Sequence, residues 1–290
     1  MNERLFFGLF LAAAVSGGHA AAGEGVFPYR VGRFEVFLLV EAERPGNTAI
    51  LADADAAVLQ SLIPEGGFTG STNAILVRMP GRNILIDAGT GQQGALIERM
   101  ASIGVRPEQI DDVLITHLHG DHFGGLLQNG APAFPRARVH LSAPEHAFFT
   151  EERPNEAAVA ALAAYADRIS TFEPRELGTR LRMLLPGITP IAAYGHTPGH
   201  TPGHTLFLIE SRGERLLVIG DLLHVAPVQF AMPEISAVFD IDPVAAAATR
   251  RRVLSFAAEN RIPVAGMHIA YPGIGMVGFD GDGFSFTPEE

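Results

Sequence analysis

Residues 111–126 read DDVLITHLHGDHFGGL and place three histidines and an acid within six positions, His117-Leu118-His119-Gly120-Asp121-His122. An apolar run, Val113-Leu114-Ile115, comes directly before them. In an extended segment, two histidines separated by one residue can face the same side. Gly120 then permits a sharp bend ahead of Asp121 and His122. One short loop can therefore present two sets of ligands. Imidazole and carboxylate together suit zinc, manganese, iron or cobalt. Four groups are too few for two ions, so further ligands must arrive from elsewhere.

Three other stretches offer them. YGHTPGHTPGHT carries His196, His200 and His204, spaced by four in a stiff Thr-Pro-Gly phrase. LLVIGD ends in Asp221, and an acid at the tip of an apolar strand is costly unless it is paired or binds metal. VAGMH ends in His268. The sequence has no cysteine, which excludes a thiolate zinc site, a disulfide framework and a cysteine nucleophile. No G-x-S-x-G motif competes for the chemistry.

These groups need strands to carry them. Asn73–Val77 and Asn83–Asp87 read as a hairpin around Pro80-Gly81. Thr90–Ile103 reads as a helix with Leu96, Ile97 and Met100 on one face. Val113–Thr116 and Arg138–Ser142 read as strands, and Ala143–Phe149 and Asn155–Asp167 as helices. A second hairpin spans Leu206–Glu210 and Leu216–Ile219. Asp242 and Pro243 form a helix start, with the helix running to Glu259. Ile262–His268 is a last strand. Hairpins followed by alternating strands and helices, in two rounds, indicate sheets packed within helical layers. The candidate ligands all fall at strand ends, where such folds gather their active sites.

The 290-residue chain is long enough for a sizeable core. Its net charge of −11 argues against a nucleic-acid surface, and with no lysine only arginine could anchor an anionic product. Residues 1–22 have the layout of a secretory leader: a short apolar stretch, Leu5–Val15, then small residues around Ala20-Ala21-Ala22. The stretch is too short to span a bilayer. The expectation is a cleaved signal peptide over 1–22, taking His19 with it, and one hydrolase domain over 23–290, periplasmic or secreted. The expected partner is a small-molecule substrate, with no nucleic acid, no membrane after cleavage, and a homodimer as the assembly left open.

The pattern H-x-H-x-D-H, followed by a distant histidine, an acid and a last histidine, resembles the signature of the metallo-β-lactamase-fold hydrolase superfamily. The resemblance runs from Thr72 to His268. It implies an α/β fold, the αββα four-layer sandwich. It implies two divalent ions, zinc first, with manganese, iron(II) or cobalt as alternatives. His117, His119 and His200 would bind one, Asp121, His122 and His268 the other, and Asp221 would bridge them. The family's third histidine is the first in a T-P-G-H-T-x-G-H stretch. Thr197–His204 matches that stretch and selects His200, with His204 next and His196 at the start of an extra copy. Asp87, in LIDAG, resembles the family's buried acid that orients a metal-binding histidine, a turn cap beside Gly89 being the alternative.

The reaction so implied is hydrolysis by a hydroxide held between two ions, with no covalent intermediate. An acid at the Asp221 position is usual in lactonases, thioesterases and phosphotriesterases of the family and generally absent from true metallo-β-lactamases. GHTPGHTLFLIESRGERLLVIGDLLHVAPVQF and HIAYPGIG look most like the methyl parathion hydrolase-like branch, which includes quorum-quenching lactonases. His224 occupies the place where acyl-homoserine lactonases often carry a tyrosine. It is read as touching the substrate or leaving group, with a packing role as the alternative. Asp121 and His224 are thus the residues expected in the chemistry itself. The predicted substrate is a lactone, aryl ester or phosphotriester; a β-lactam, or iron-based redox chemistry, is the competing reading. Arg175, Arg180 and Arg182 are the nearest basic anchors in sequence, and nothing in their spacing recommends them. Phe148 and Phe149 line either the substrate pocket or the core. His140 and His146 read as packing or surface residues.

Overall fold

A computed structural model describes residues 23–290 except 53, 64, 66, 93 and 193–198. Seven strands hydrogen-bond in chain order: β1 (Val26–Val31), β2 (Phe34–Pro45), β3 (Thr69–Met79), β4 (Arg82–Ile86), β5 (Asp112–Leu114), β6 (Arg138–Ser142) and β7 (Ile169–Phe172). The first four are antiparallel; β4 to β7 run parallel. A second sheet orders β8 (Arg175–Glu176), β9 (Ile188–Ala192), β10 (Leu206–Ser211), β11 (Glu214–Val218), β12 (Val264–Ala265), β13 (Ile274–Asp280) and β14 (Gly283–Pro288). The helices are α1 (Ala56–Leu62), α2 (Leu96–Ser102), α3 (Gly120–Phe123), α4 (Ala143–Ala147), α5 (Glu156–Ala163), α6 (Ala226–Gln229) and α7 (Pro243–Asn260).

Period-two alternation sorts the side chains into layers. Along β4 and β5, Ile84, Ile86 and Leu114 face the second sheet and meet Phe207, Ile209, Leu216 and Val218. Their neighbours Leu85 and Val113 face outward onto Leu96 and Met100 of α2 and Leu162 of α5. On the far side Leu206, Leu208 and Leu217 pack against Val253, Leu254 and Ala257 of α7. The order helix, sheet, sheet, helix is the αββα sandwich the sequence led us to expect.

The local differences have physical causes. The expected helix over 90–103 begins only at Leu96, because Gly91 takes φ +85° and the Thr90 N–H is drawn 2.8 Å from the buried Glu41 carboxylate. The expected strand over 262–268 shrinks to Val264–Ala265, and His268 lies in the turn beyond it. The expected helix over 155–167 is regular only over Glu156–Ala163. The helix start at Asp242-Pro243 is present, with the Asp242 side chain accepting from the Ala245 N–H.

Candidate metal centre

The two sheets deliver their loops to one edge. After β5 the chain runs through Thr116, whose carbonyl accepts the Thr205 N–H at 2.9 Å, tying the histidine loop to the start of β10. Asp221 follows β11 in a tight turn over Gly220–Leu222. His268 follows β12.

His117 Nε2, His119 Nδ1 and His200 Nε2 lie 3.0–3.1 Å from one another. The opposite nitrogens of His117 and His200 are spoken for. His200 Nδ1 donates to Asp240 Oδ1 at 2.8 Å. Thr116 Oγ1 donates to Asp87 Oδ2 at 2.8 Å, so it accepts from His117 Nδ1 at 3.1 Å. The two Nε2 atoms therefore point lone pairs at each other, an arrangement that a cation between them satisfies and a hydrogen bond between two neutral rings does not. On the other side His122 Nδ1 donates to Asp87 at 2.7 Å, and His268 Nδ1 donates to the Ser71 carbonyl at 2.7 Å. Their Nε2 atoms again face inward. His122 Nε2 and Asp221 Oδ1 are buried 3.1 Å apart without hydrogen-bond alignment, and neither has a hydrogen-bond partner.

Asp221 sits between the groups. Its Oδ2 is 3.6 Å from His117, 3.5 Å from His200 and 3.1 Å from His268, while its Oδ1 faces His122. Asp121 Oδ2 is 3.5 Å from His268 Nε2. Two sets of side chains could thus each hold an ion: His117, His119, His200 and Asp221; and Asp121, His122 and His268. His224 Nε2 lies 3.2 Å from Asp221 Oδ2, and its ring stacks on His268 at 5.2 Å, forming a third grouping with both.

The histidines flanking His200 separate. His196 lies outside the described residues. His204 is buried behind the site and accepts the Asp221 N–H at 3.0 Å, so it positions the carboxylate's backbone. Sequence reasoning had no signal for Glu145. This fully buried carboxylate accepts from Leu118 N–H, Thr201 Oγ1 and Gly203 N–H at 2.7–2.8 Å, clamping the loops on either side of the first ligand set. Burial pushes its pKa up to about 7 despite those donors. Asp240 was missed for the same reason. Both acids act through partners far away in the chain.

Phe148 and Phe149 are core residues at 8% exposure, Phe149 touching His119 edge-on. His140 is buried against Asp112 at 2.8 Å, and His146 is half-buried near Thr150. A cleft of about 460 Å³ opens onto the site, lined by Phe68, Ile50 and Phe239 beside His119, Asp121 and His224. The basic residue along it is Arg44, at the end of β2, and not Arg175, Arg180 or Arg182. Only tertiary pairing of β2 with β3 brings it there.

The charges around Asp221 are unequal. Burial alone would raise its pKa, but His122, His268 and His117 hold it well below the carboxylate range. Burial and then neighbouring histidines hold His117 well below the imidazole range and His119 at about 4. His122 and His268 go the other way: Asp221 and other carboxylates outweigh burial and raise both. An ion entering beside Asp121, His122 and His268 must therefore displace protons, whereas His117 and His119 are already neutral. Affinity at the former position should rise with pH and be lost on acidification, by about tenfold per pH unit for each proton displaced. Zinc titration against a chelator at pH 6 and pH 8 checks this. Equal pH slopes for all bound ions would refute it.

The profile of the metallo-β-lactamase superfamily matches residues 67–261. A hydrolase of the β-lactamase superfamily, AbOPH, superposes with a TM-score of 0.80 at 29% identity, covering 92% of this chain and 98% of that one. The dizinc quorum-quenching lactonase AidC, in complex with its product, superposes with a TM-score of 0.81 at 24% identity and the same coverage. A ribonuclease Z of Mycolicibacterium gilvum is 36% identical over 83 residues, 26% of this chain and 27% of its own length. The anti-Pycsar protein Apyc1 of Saccharibacillus brassicae is 43% identical over 58 residues, 20% of this chain and 22% of its own. The chain thus spans about a quarter of the length of the curated relatives it matches. With an αββα sandwich carrying a histidine and aspartate cluster at one edge of its paired sheets, the chain belongs to the metallo-β-lactamase superfamily of metal-dependent hydrolases.

Proposed function

We propose that this protein is a dinuclear metal-dependent hydrolase, with zinc the first candidate, acting on an uncharged ester-like bond in a lactone, aryl ester or aryl phosphotriester. The observation that carries the reading is Asp221, whose carboxylate lies within 3.6 Å of inward-pointing histidines of both sets, His117 and His200 of one and His122 and His268 of the other. Bound there, two divalent ions would lower the pKa of water and polarise the scissile carbonyl or phosphoryl oxygen. The chain's own part is to hold the ions and aim the substrate. Asp87, Asp240 and the Ser71 carbonyl hold imidazoles in the tautomer that presents Nε2. Asp121, the more open acid with 33% of its side chain exposed, faces the cleft and can take up a proton released during cleavage. His224 also lines the cleft, and its Nδ1 has no hydrogen-bond partner. Burial holds its pKa at about 4, so it meets the substrate or leaving group as a neutral ring.

The cleft walls favour an apolar substrate. Beside the metal cleft lies a second, of about 410 Å³, sharing Phe68 and His268 with it and walled by Phe230, Phe284 and Phe286. A polyanionic RNA suits the site poorly, since Arg44 is the one arginine lining it among the described residues and the net charge is −11. The test is a panel of homoserine lactones, aryl esters, phosphotriesters and β-lactams on metal-reconstituted enzyme. Lactones or aryl phosphotriesters should lead. Carbapenem turnover faster than every other class would overturn the substrate reading, and visible iron absorbance in the native protein would favour the redox alternative.

Export is part of the same proposal. The leader over 1–22 lies outside the described residues, and no helix among those described is long and apolar enough to cross a membrane. The secreted protein should begin near Ala21 or Gly23 on N-terminal sequencing. An intact Met1 on periplasmic material would refute cleavage.

A further inference from the structure

Arg250, midway along α7, is only 1% exposed. A guanidinium is retained in a core where its charge is paired and its donors are met. Its Nε donates to the Leu222 carbonyl at 2.6 Å, and Nη1 to the carbonyls of Pro233 at 2.7 Å and Ile235 at 3.0 Å. Its Nη2 reaches Asp240 Oδ2 at 3.4 Å. Two of these contacts lead straight to the candidate metal centre. Leu222 directly follows Asp221. Asp240 uses its other oxygen to hold His200 Nδ1 at 2.8 Å, with His200 Nε2 facing His117 and His119.

We infer that Arg250 and Asp240 are positioning residues that set the metal affinity of the His117, His119 and His200 position, through one buried cation shared between the His200 ring and the Asp221 turn. The inference rests on the reading of this site as a metal centre. An ionised acid on the far nitrogen fixes an imidazole's tautomer and makes its other nitrogen a better ligand. The Asp240 carboxylate is itself held by the Ala237 N–H at 2.9 Å and by Arg250. Without the guanidinium, that carboxylate and three backbone carbonyls lose a shared donor inside the core, and the segment from 222 to 240 loses its hub. The helix α7 thereby reaches the site through Asp240 and the Leu222 carbonyl. The histidines of the second set are held by other groups, His122 by Asp87 and His268 by the Ser71 carbonyl, and share only Asp221 with this network.

The test uses the full chain as wild type, Asp240→Asn, Arg250→Met, the double variant and His200→Ala, each loaded with zinc or cobalt. Zinc affinity is read by competition with a chromogenic chelator, and the cobalt centre by its visible spectrum. Melting of the metal-free proteins reports folding. In Asp240→Asn one ion should bind about 10–100-fold more weakly while the other is unchanged, and in Arg250→Met the same ion should lose at least as much, the other falling less because it shares only Asp221. The cobalt spectrum should lose the component that His200→Ala loses. The double variant should be no worse than Arg250→Met alone, because both changes cut one path. Folded single variants with both affinities unchanged, an equal fall at both positions, or additive losses would each overturn the inference. Should Arg250→Met fail to fold, the near-isosteric Asp240→Asn decides by itself. A wild type that binds no metal would overturn the reading of the site; a wild type with two ions and unaffected variants would overturn only the part played by Arg250 and Asp240.

Discussion

Replacing Asp221 by alanine should remove more activity than any other single change in this chain and leave fewer than two ions bound. The residue is 3% exposed and, among the described residues, is the one carboxylate within 3.6 Å of His117, His122, His200, His224 and His268 together. Losing a side chain that only orients a ligand costs roughly 10–100-fold in metal affinity or activity. Asp221→Ala should exceed that, because it removes the one acid that faces both sets and leaves His117, His119 and His200 with no carboxylate among them. Asp221→Asn is the sharper comparison, since it keeps the shape and removes the charge. Elemental analysis of reconstituted protein and turnover of the preferred substrate read the result. A single ion in carefully reconstituted wild type would sink the dinuclear model.

The second large effect is expected from a residue that binds nothing. Gly199 takes φ +99°, and a Cβ there would run into the backbone of Ala245 and Ala246 in the first turn of α7. The same segment is pinned from both sides, the Gly199 carbonyl accepting the Asp242 N–H at 2.9 Å and the His200 carbonyl accepting the Ile241 N–H at 3.1 Å. Gly199→Ala must therefore either push α7 away or swing His200 out of the ligand set. Backbone strain and overpacking together should cost about 2–4 kcal/mol of stability. Metal content and activity should fall nearly as far as in His200→Ala. Gly130 also has positive φ, at +77°, but nothing lies within 4 Å of where its Cβ would be. Its alanine variant isolates the backbone term and should leave the metal untouched. A Gly199→Ala protein with wild-type melting and metal content would show that α7 does not fix the loop.

What could be read in the sequence was what is local in it. His117, His119, Asp121 and His122 occupy one turn, and Asp221 and His268 each follow an apolar strand, so residue type and spacing were enough to nominate them. Asp87 was legible as well, through the phrase LIDAG. Asp240, Glu145 and Arg250 were not, and His204 was named only as the alternative to His200, not as the acceptor of the Asp221 N–H. Each acts on a partner 10 to 58 positions away or through a backbone group, and an acid or a cation with such a job looks like any other in one dimension. The fold divides in the same manner. The hairpin of β3 and β4 and the cap of α7 carry turn and cap residues that announce them. The pair β1 and β2 went unread, although Val26–Pro45 is rich in strand formers; Pro28 and the register shift between Val40 and Ala42 break its alternation. The first turns of the expected helix at Thr90 were lost to Glu41, a competitor 49 residues away.

The candidate ligands are divided between the sheets: His117, His119, Asp121 and His122 follow a strand of one, and His200, Asp221 and His268 border strands of the other. Neither half of the chain holds a full set, so the site comes into being only when the halves have docked. A divalent ion would then work as a clasp across that seam, adding about 2.7 kcal/mol to the folded state at a free concentration one hundred times its dissociation constant. The durability of the protein is in that sense partly a property of its surroundings: where trace metal is scarce, the seam between the sheets is the place from which the molecule would come apart and be degraded.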